Sequence, residues 1–295
     1  MAENVVIGMI IGDDFQPLRS NLPFYGREPG FEKIALVSTR DEKVMSLLQE
    51  YGFEIHYREF TVHSDQRNHL LEIVGPRWLL QLDADERPEP KLLAEVQALA
   101  GQSGAKDNLY IAARCNYFMN RFMRYGKQYP DYQKRFFFND GPHYEGMVHE
   151  ILIHSKRVVP LEGRILHYSD DDISTRLFKM VVYSLYEAEG KERNPTLAGL
   201  LFKPPILFLV RLLKDRAFLD GIAGIVWLVQ STICYQLEYL ISYYWHRKKA
   251  ALATQGWNGA SPTQSIMESS EQEGAVQTNW ADCFRPPATA SRERS

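Results

Sequence analysis

Residues 78–90, "WLLQLDADERPEP", set Asp83 and Asp85 two positions apart at the end of an apolar run. Side chains of an extended backbone alternate, so both carboxylates can aim to one side while Ala84 points away. Paired hard oxygens suit Mg²⁺ or Mn²⁺, and an ion so held suits a diphosphate ligand. A second reading is electrostatic: Asp85, Glu86 and Glu89 favour the N-terminus of the next helix through its dipole, with Pro88 or Pro90 at the first helical position. Residue type alone leaves the two level.

Another cluster, "HYEGMVHEILIH", holds His143, Glu145, His149, Glu150 and His154. Zinc of the His-Glu-x-x-His kind needs a helix, but here the second histidine comes one place late and "MVHEILI" reads as a strand. Alternation then places Glu150 on one face with Val148 and Leu152. A carboxylate among apolar neighbours holds a proton more readily, as a general base must. The plainer alternative is an edge-strand charge paired with Lys134 or Arg135, and the residues by themselves favour it. Glu145 is the reserve. Arg67 in "QRN" and Arg135 in "KRFFF" offer positive charge to phosphates or make ordinary ion pairs. His149 could reach a metal; His63, His69 and His167 read as structural.

The elements that must position these groups alternate in kind. "VVIGMII", "FEKIALVS", "FEIHYREF" and "RWLLQL" have strand length, and "DEKVMSLLQEYG" and "DQRNHLLEIVG" have helical spacing. That alternation points to an α/β sheet, where ligands gather beyond the carboxyl ends of strands. "PEPKLLAEVQALAG" is a helix with Pro at its start and Gly101 at its stop. "NLYIAARCNYF", "YQKRFFFND", "EGMVHEILIH" and "GRILHYS" extend or cross the sheet.

The 295 residues, 45% hydrophobic and 24% charged, suffice for a full core in one large domain with an appendage, or two small ones. A net charge of −3 and the lack of interleaved basic and aromatic residues argue against nucleic acid as partner. Cys115, Cys234 and Cys283 have no CxxC spacing, which fits a reducing compartment. The first residues lack a basic region and their apolar run is too short for a signal core, so the expectation is a cytoplasmic chain.

Taken in order, "QRN" at 66–68 and "LDADE" after "RW" resemble the inverting family 2 glycosyltransferases. "YQKRFFFNDGPHYEGMVHE", "ILHYSD" and "FLDG" are similar to the branch that includes the lipopolysaccharide-core β-glucosyltransferases. The resemblance runs from residue 5 to 244. It implies a GT-A fold (a mixed central sheet flanked by helices), a nucleotide-sugar donor, foremost a UDP-sugar, and a divalent metal, Mg or Mn. It assigns the metal to Asp85 and Asp83, donor contacts to Asp83, Arg67, Asp41 and Arg135, and the general base to Glu150, because "VHE" is where the family places its base. This chain departs from the family at "ALVSTRDEKV", where a usual aspartate is replaced by an apolar position near Leu36 or Val37 and Asp41 remains. The usual Asn-Glu after the first strand reads "GDD", with Asp13 or Asp14 as substitutes. Phosphatases with an aspartyl nucleophile also use Asp-x-Asp after a strand, but their motif continues to Thr or Val, where Arg87 stands here.

From residue 200 to 250 seven Lys and Arg face three acids, a net +4 in an acidic chain. Residues 221–237 carry no charge but include Gln230, Ser231, Thr232 and Gln236, and a spanning helix wants roughly 20 mostly apolar residues. With "PPILFLVRLL" and "YYWHRKK", this fits helices lying in a membrane interface with cations toward anionic headgroups. A hairpin packed on the catalytic domain or on a dimer partner is the alternative. The expected layout is a GT-A catalytic domain at 1–195, a membrane-peripheral helical appendage at 196–250 and a disordered tail at 251–295. The expected function is transfer of a sugar to a lipid-linked or cell-envelope glycan, as in lipopolysaccharide biosynthesis, at the inner face of the cell membrane. The rival from another class is an inactive, membrane-associated glycan-binding protein on the same fold.

Overall fold

The computed structural model describes residues 4–12, 14–146, 150–168, 180–181, 184–185 and 195–253, with side chains through 247 in the last stretch. The chain divides into two compact units, Met1–Asp170 and Asp171–Ser295. Residues 254–295, expected as a tail, lie outside the described residues.

In the first unit β1 (Val5–Ile11), β2 (Phe31–Val37), β3 (Glu54–Tyr57) and β4 (Trp78–Leu82) form a parallel block in the order β3-β2-β1-β4. β1 and β4 are near-continuous apolar runs because both faces of a parallel strand are covered. Helices α1 (Phe15–Asn21), α2 (Glu42–Glu50) and α3 (His63–Val74) connect them, and α4 (Pro90–Ala100) follows the short β5 (Glu86–Pro88). α4 begins with a proline in its first turn and meets Gly101 at its C-cap, as its sequence requires.

The sheet continues as a mixed one. β8 (Asp131–Phe138) runs antiparallel to β4 and to β6 (Asn108–Phe118), while β11 (Arg157–Tyr168) lies parallel to β6 and antiparallel to β5. β7 (Arg121–Phe122) pairs with β6, and β9 (His143–Glu145) with β10 (Ile151–Ile153) forms a separate two-stranded sheet. The result is a mixed α/β sheet flanked by helices. At its centre Trp78 stacks on Phe136, centroids 4.8 Å apart, both fully buried. Gly163 lets β11 approach α4, since a Cβ there would stand 2.4 Å from the Leu92 Cα.

Two sequence expectations change. Of the acids read as favouring the next helix's N-terminus, Glu89 is the N-cap of α4, with Pro90 its first residue, whereas Glu86 begins β5 and pairs with β11. Of "MVHEILI", residues 147–149 lie outside the described residues, and the strand begins at Ile151.

In the second unit α5 (Leu197–Leu213) is capped by the Thr196 hydroxyl, which accepts from Gly199 N–H at 3.0 Å. A 3₁₀ turn (Ala217–Asp220) leads into α6 (Gly221–Ala253), 33 residues long. The two helices form an antiparallel hairpin: Thr196 N–H donates to the Tyr239 hydroxyl at 3.0 Å, and the Arg211 guanidinium lies 5.3 Å from the Trp227 ring. The stretch Ala217–Arg247 is long and apolar enough, at a mean hydropathy of 1.6, to cross a membrane.

Candidate active site

β4 delivers its acidic motif as a turn. Strand geometry ends at Leu82, and the Asp83 carbonyl accepts from Glu86 N–H at 3.0 Å. The turn replaces the extended alternation expected for Asp83 and Asp85 and sends the two carboxylates to different partners. Asp83 Oδ1 accepts from Arg67 Nη2 at 3.1 Å and Oδ2 from Arg135 Nη2 at 2.5 Å. Asp85 Oδ2 stands 3.0 Å from His167 Nε2.

Beneath them, fully buried Glu86 organises the backbone and the cations together. One carboxylate oxygen accepts from Asp83 N–H at 3.0 Å; the other accepts from Arg135 Nη2 at 2.5 Å and lies 3.4 Å from Arg114 Nη1. Arg114 in turn grips Asp131, with Nε at 2.8 Å and Nη2 at 2.7 Å. Burial alone would push Asp83 up, but the Arg135 and Arg67 guanidiniums outweigh it and hold the carboxyl well below the usual range. Burial likewise works against charge on Arg135, and Asp83 and Glu86 overcome it.

Arg67 also reaches Glu150: its Nε donates to Glu150 Oε1 at 2.9 Å. Neither partner expected for Glu150 as an edge charge is the observed one. Lys134 donates to the Leu152 carbonyl at 3.2 Å, and Arg135 is only 5% exposed, within the Asp83–Glu86 cluster and not at the surface. Val148 and His149 lie outside the described residues, so the alternation invoked around Glu150 does too. Glu145 is exposed and pairs with His143 at 3.0 Å. Asp41 stands apart from the cluster as the cap of α2, accepting from Lys43 N–H at 2.8 Å.

Sequence reasoning passed over Arg114, Asn116 and Asp131, and named Glu86 only as a charge at a helix start. His167, read as structural, is placed by β11 pairing directly beside Asn116 of β6. The Asn116 amide nitrogen donates to the Gln128 carbonyl at 3.1 Å and to Asp131 at 3.2 Å, which turns its oxygen to His167 Nδ1 at 2.8 Å. Nδ1 is therefore the protonated nitrogen, and in a neutral ring the Nε2 lone pair faces the Asp85 carboxylate. A shared cation satisfies that arrangement, since adjacent octahedral ligands at about 2.1 Å from one ion stand roughly 3.0 Å apart. No group of three or more His, Cys, Asp or Glu suited to a metal occurs among the described residues. A donor set of one carboxylate and one imidazole still fits Mn²⁺ or Mg²⁺, which takes much of its shell from substrate phosphates and water.

No protein-family model matches the chain. Among solved structures, the chain is similar to S. aureus TarS 1-349 in complex with UDP-GlcNAc, with 9% identity, 83% of this chain and 92% of that one covered, and a TM-score of 0.41. It is also similar to the mannosyltransferase PcManGT from Pyrobaculum calidifontis in complex with GDP-Man and Mn²⁺, with 10% identity, 83% and 88% covered, and a TM-score of 0.46. Both TM-scores lie below 0.5.

Proposed function

We propose that the protein is a nucleotide-sugar glycosyltransferase of the inverting, GT-A kind, acting at the inner face of the cell membrane on a lipid-linked or cell-envelope glycan. One observation carries the reading. Four residues singled out by type and motif, Arg67, Asp83, Arg135 and Glu150, come from α3, the end of β4, β8 and the start of β10, and are bonded into one cluster.

Its parts fit a single displacement. Glu150 receives the proton of an acceptor hydroxyl as that oxygen bonds to C1 of the donor sugar, and the C1–O bond to the diphosphate breaks, inverting C1. Arg67 and Arg135 are fixed cations beside the leaving diphosphate. A divalent ion held by Asp85 and His167 would supply further neutralisation of that charge. Asp41, the N-cap of α2, is a residue to which the resemblance gives a contact with the donor.

The second unit supports membrane attachment. Ile222, Ile225, Val226, Val229, Ile233 and Leu240 form an exposed apolar stripe on α6, while Asp220, Glu238 and Ser242 are buried. Ala223, Leu228 and Tyr239 are buried beside those polar groups, so it is the uncovered apolar stripe that fits a lipid-facing helix pair, and Lys214, Arg216 and Arg247 supply cations for anionic headgroups.

The test is a thermal-shift panel of UDP, GDP and their sugars with and without Mn²⁺. A metal-dependent rise with one nucleotide supports the transferase, because ligands of the native state stabilise it. A glycan-induced rise with no response to any nucleotide would favour the inactive glycan-binding protein.

A further inference from the structure

We infer that Arg67 is shared between the donor diphosphate and the carboxylate of Glu150, so that seating the donor is what frees Glu150 to receive the acceptor's proton. The inference rests on the glycosyltransferase reading and gives Arg67 a positioning role within it. Arg67 is 7% exposed; its Nε serves Glu150, its Nη2 serves Asp83, and its Nη1 is buried with no hydrogen-bond partner among the described residues. A buried guanidinium with an idle N–H beside the diphosphate position is poised for one more acceptor.

Charge decides which contact yields. Asp83, Glu86, Glu150 and Asp131 face Arg67, Arg135 and Arg114, four carboxylates to three guanidiniums, so the cluster is already one negative charge in excess before a diphosphate arrives. Arg135 is anchored from below by Glu86. Asp83 keeps Arg135 when Arg67 turns away. Among the described residues Glu150 is bonded to one cation, Arg67. When the diphosphate draws on that cation, Glu150 loses its counter-charge and becomes available to the acceptor hydroxyl. Donor and base thus compete for one guanidinium, and by reciprocity removing the charge of Glu150 must strengthen donor binding.

Binding, not turnover, tests this. UDP, with GDP as second probe, is titrated calorimetrically in the presence of Mn²⁺ into the full-length protein and into Glu150→Gln, Arg67→Gln, the double variant and Glu145→Gln. Glu150→Gln is expected to bind roughly three- to tenfold tighter, Arg67→Gln about tenfold weaker, the double variant no tighter than Arg67→Gln, and Glu145→Gln unchanged. Arg67→Lys, which keeps the charge but not the fork, replaces Arg67→Gln if the latter fails to fold. Unchanged or weaker binding by Glu150→Gln overturns the sharing of Arg67, as does the same tightening in the Arg67→Gln background, which would be bare charge removal. If the unaltered protein binds no nucleotide diphosphate, the glycosyltransferase reading itself falls; if it binds but shows no coupling, only the role of Arg67 does.

Discussion

In the first unit Ile7, Met9, Trp78, Leu80 and Phe136 are turned fully inward, and the charges that stay inside are bonded into one network of carboxylates and guanidiniums. In the second, α6 leaves large apolar side chains uncovered: Ile222 is 76% exposed and Val229 44%, while Glu238 is buried beside Leu228 and Tyr239. A burial pattern records the solvent a surface is meant to meet. Water selects the first arrangement, because apolar area removed from it stabilises by roughly 25 cal/mol per Å². An apolar stripe left uncovered gains nothing that way and needs lipid or protein as its solvent. The proposed function puts chemistry in the first unit and membrane attachment in the second.

The largest expected effect tests that division where chemistry is placed. Glu150→Gln keeps the shape of the side chain but cannot accept a proton, and should lower transfer by roughly 10²–10⁴-fold with the fold intact. Radiolabelled sugar transfer measures it. Near-normal turnover here, with collapse in Glu145→Gln, would move the base to β9.

Next in size is a contrast in stability. Trp78→Ala opens the stack on Phe136 and should destabilise the first unit by about 3–5 kcal/mol, read as a lower urea midpoint. Ile222→Ala in α6 should change stability in detergent-free buffer by no more than about 0.5 kcal/mol, because it removes no packed surface. A loss at Ile222 comparable to that at Trp78 would show that this face is covered by protein, and the contrast between the units would collapse.

Much of this was legible in the sequence where the signal is local. Residues 5–11 and 78–82 read as strands because a doubly covered parallel strand is apolar throughout, and 90–100 read as a helix from its proline start and glycine stop. Arg67, Asp83, Arg135 and Glu150 could be nominated through the resemblance their motifs carry; residue type alone left Asp83 level between two readings and favoured an ordinary ion pair for Glu150. The partners of Asp85, the chain His167–Asn116–Asp131, could not, since they are brought together by the register of β11 on β6 and by the pairing of β5 with β11. No local pattern encodes a pairing across eighty residues of chain. The uncovered stripe of α6 was hidden for the opposite reason: its composition shows in the sequence, but which face is covered depends on α5.

A smaller effect sharpens the second half of the comparison. Each basic residue near an anionic surface is worth about 1 kcal/mol, so Arg247→Gln, Lys248→Gln and Lys249→Gln together should weaken binding to phosphatidylserine vesicles by about 3 kcal/mol at low salt. Cosedimentation measures it, and equal binding to neutral and anionic vesicles before and after the change would remove the electrostatic part of the attachment. Activity on a soluble acceptor analogue should be unchanged by the same substitutions, since the site lies wholly in the first unit.

The smallest effect concerns the buried charges of the first unit alone. Burial would push Asp131 up, but the Arg114 guanidinium, with hydrogen bonds from Arg114, Asn116 and Gln133, outweighs it and holds the carboxyl below its ordinary range. A carboxyl lowered by folding contributes stability that is fully present above its unfolded value, about 3.9, and is lost as pH falls through the folded value. The first unit should therefore be indifferent to pH between about 5 and 7 at this group and weaken below about 4. Asp131→Asn should cost roughly 1.5 kcal/mol at neutral pH, in line with a hydrogen bond to a charged group, and flatten the acid limb. Trp78 is the one tryptophan of the first unit, so its fluorescence reports that unit once Trp227, Trp245, Trp257 and Trp280 are replaced by Phe. Urea midpoints at pH 7 and pH 3.5 with and without Asp131→Asn give the four numbers needed. An acid limb equally steep in the variant would mean that Arg114 does not hold Asp131 in solution, and that the charges inside this unit are less closely matched than those at Asp83 and Glu86.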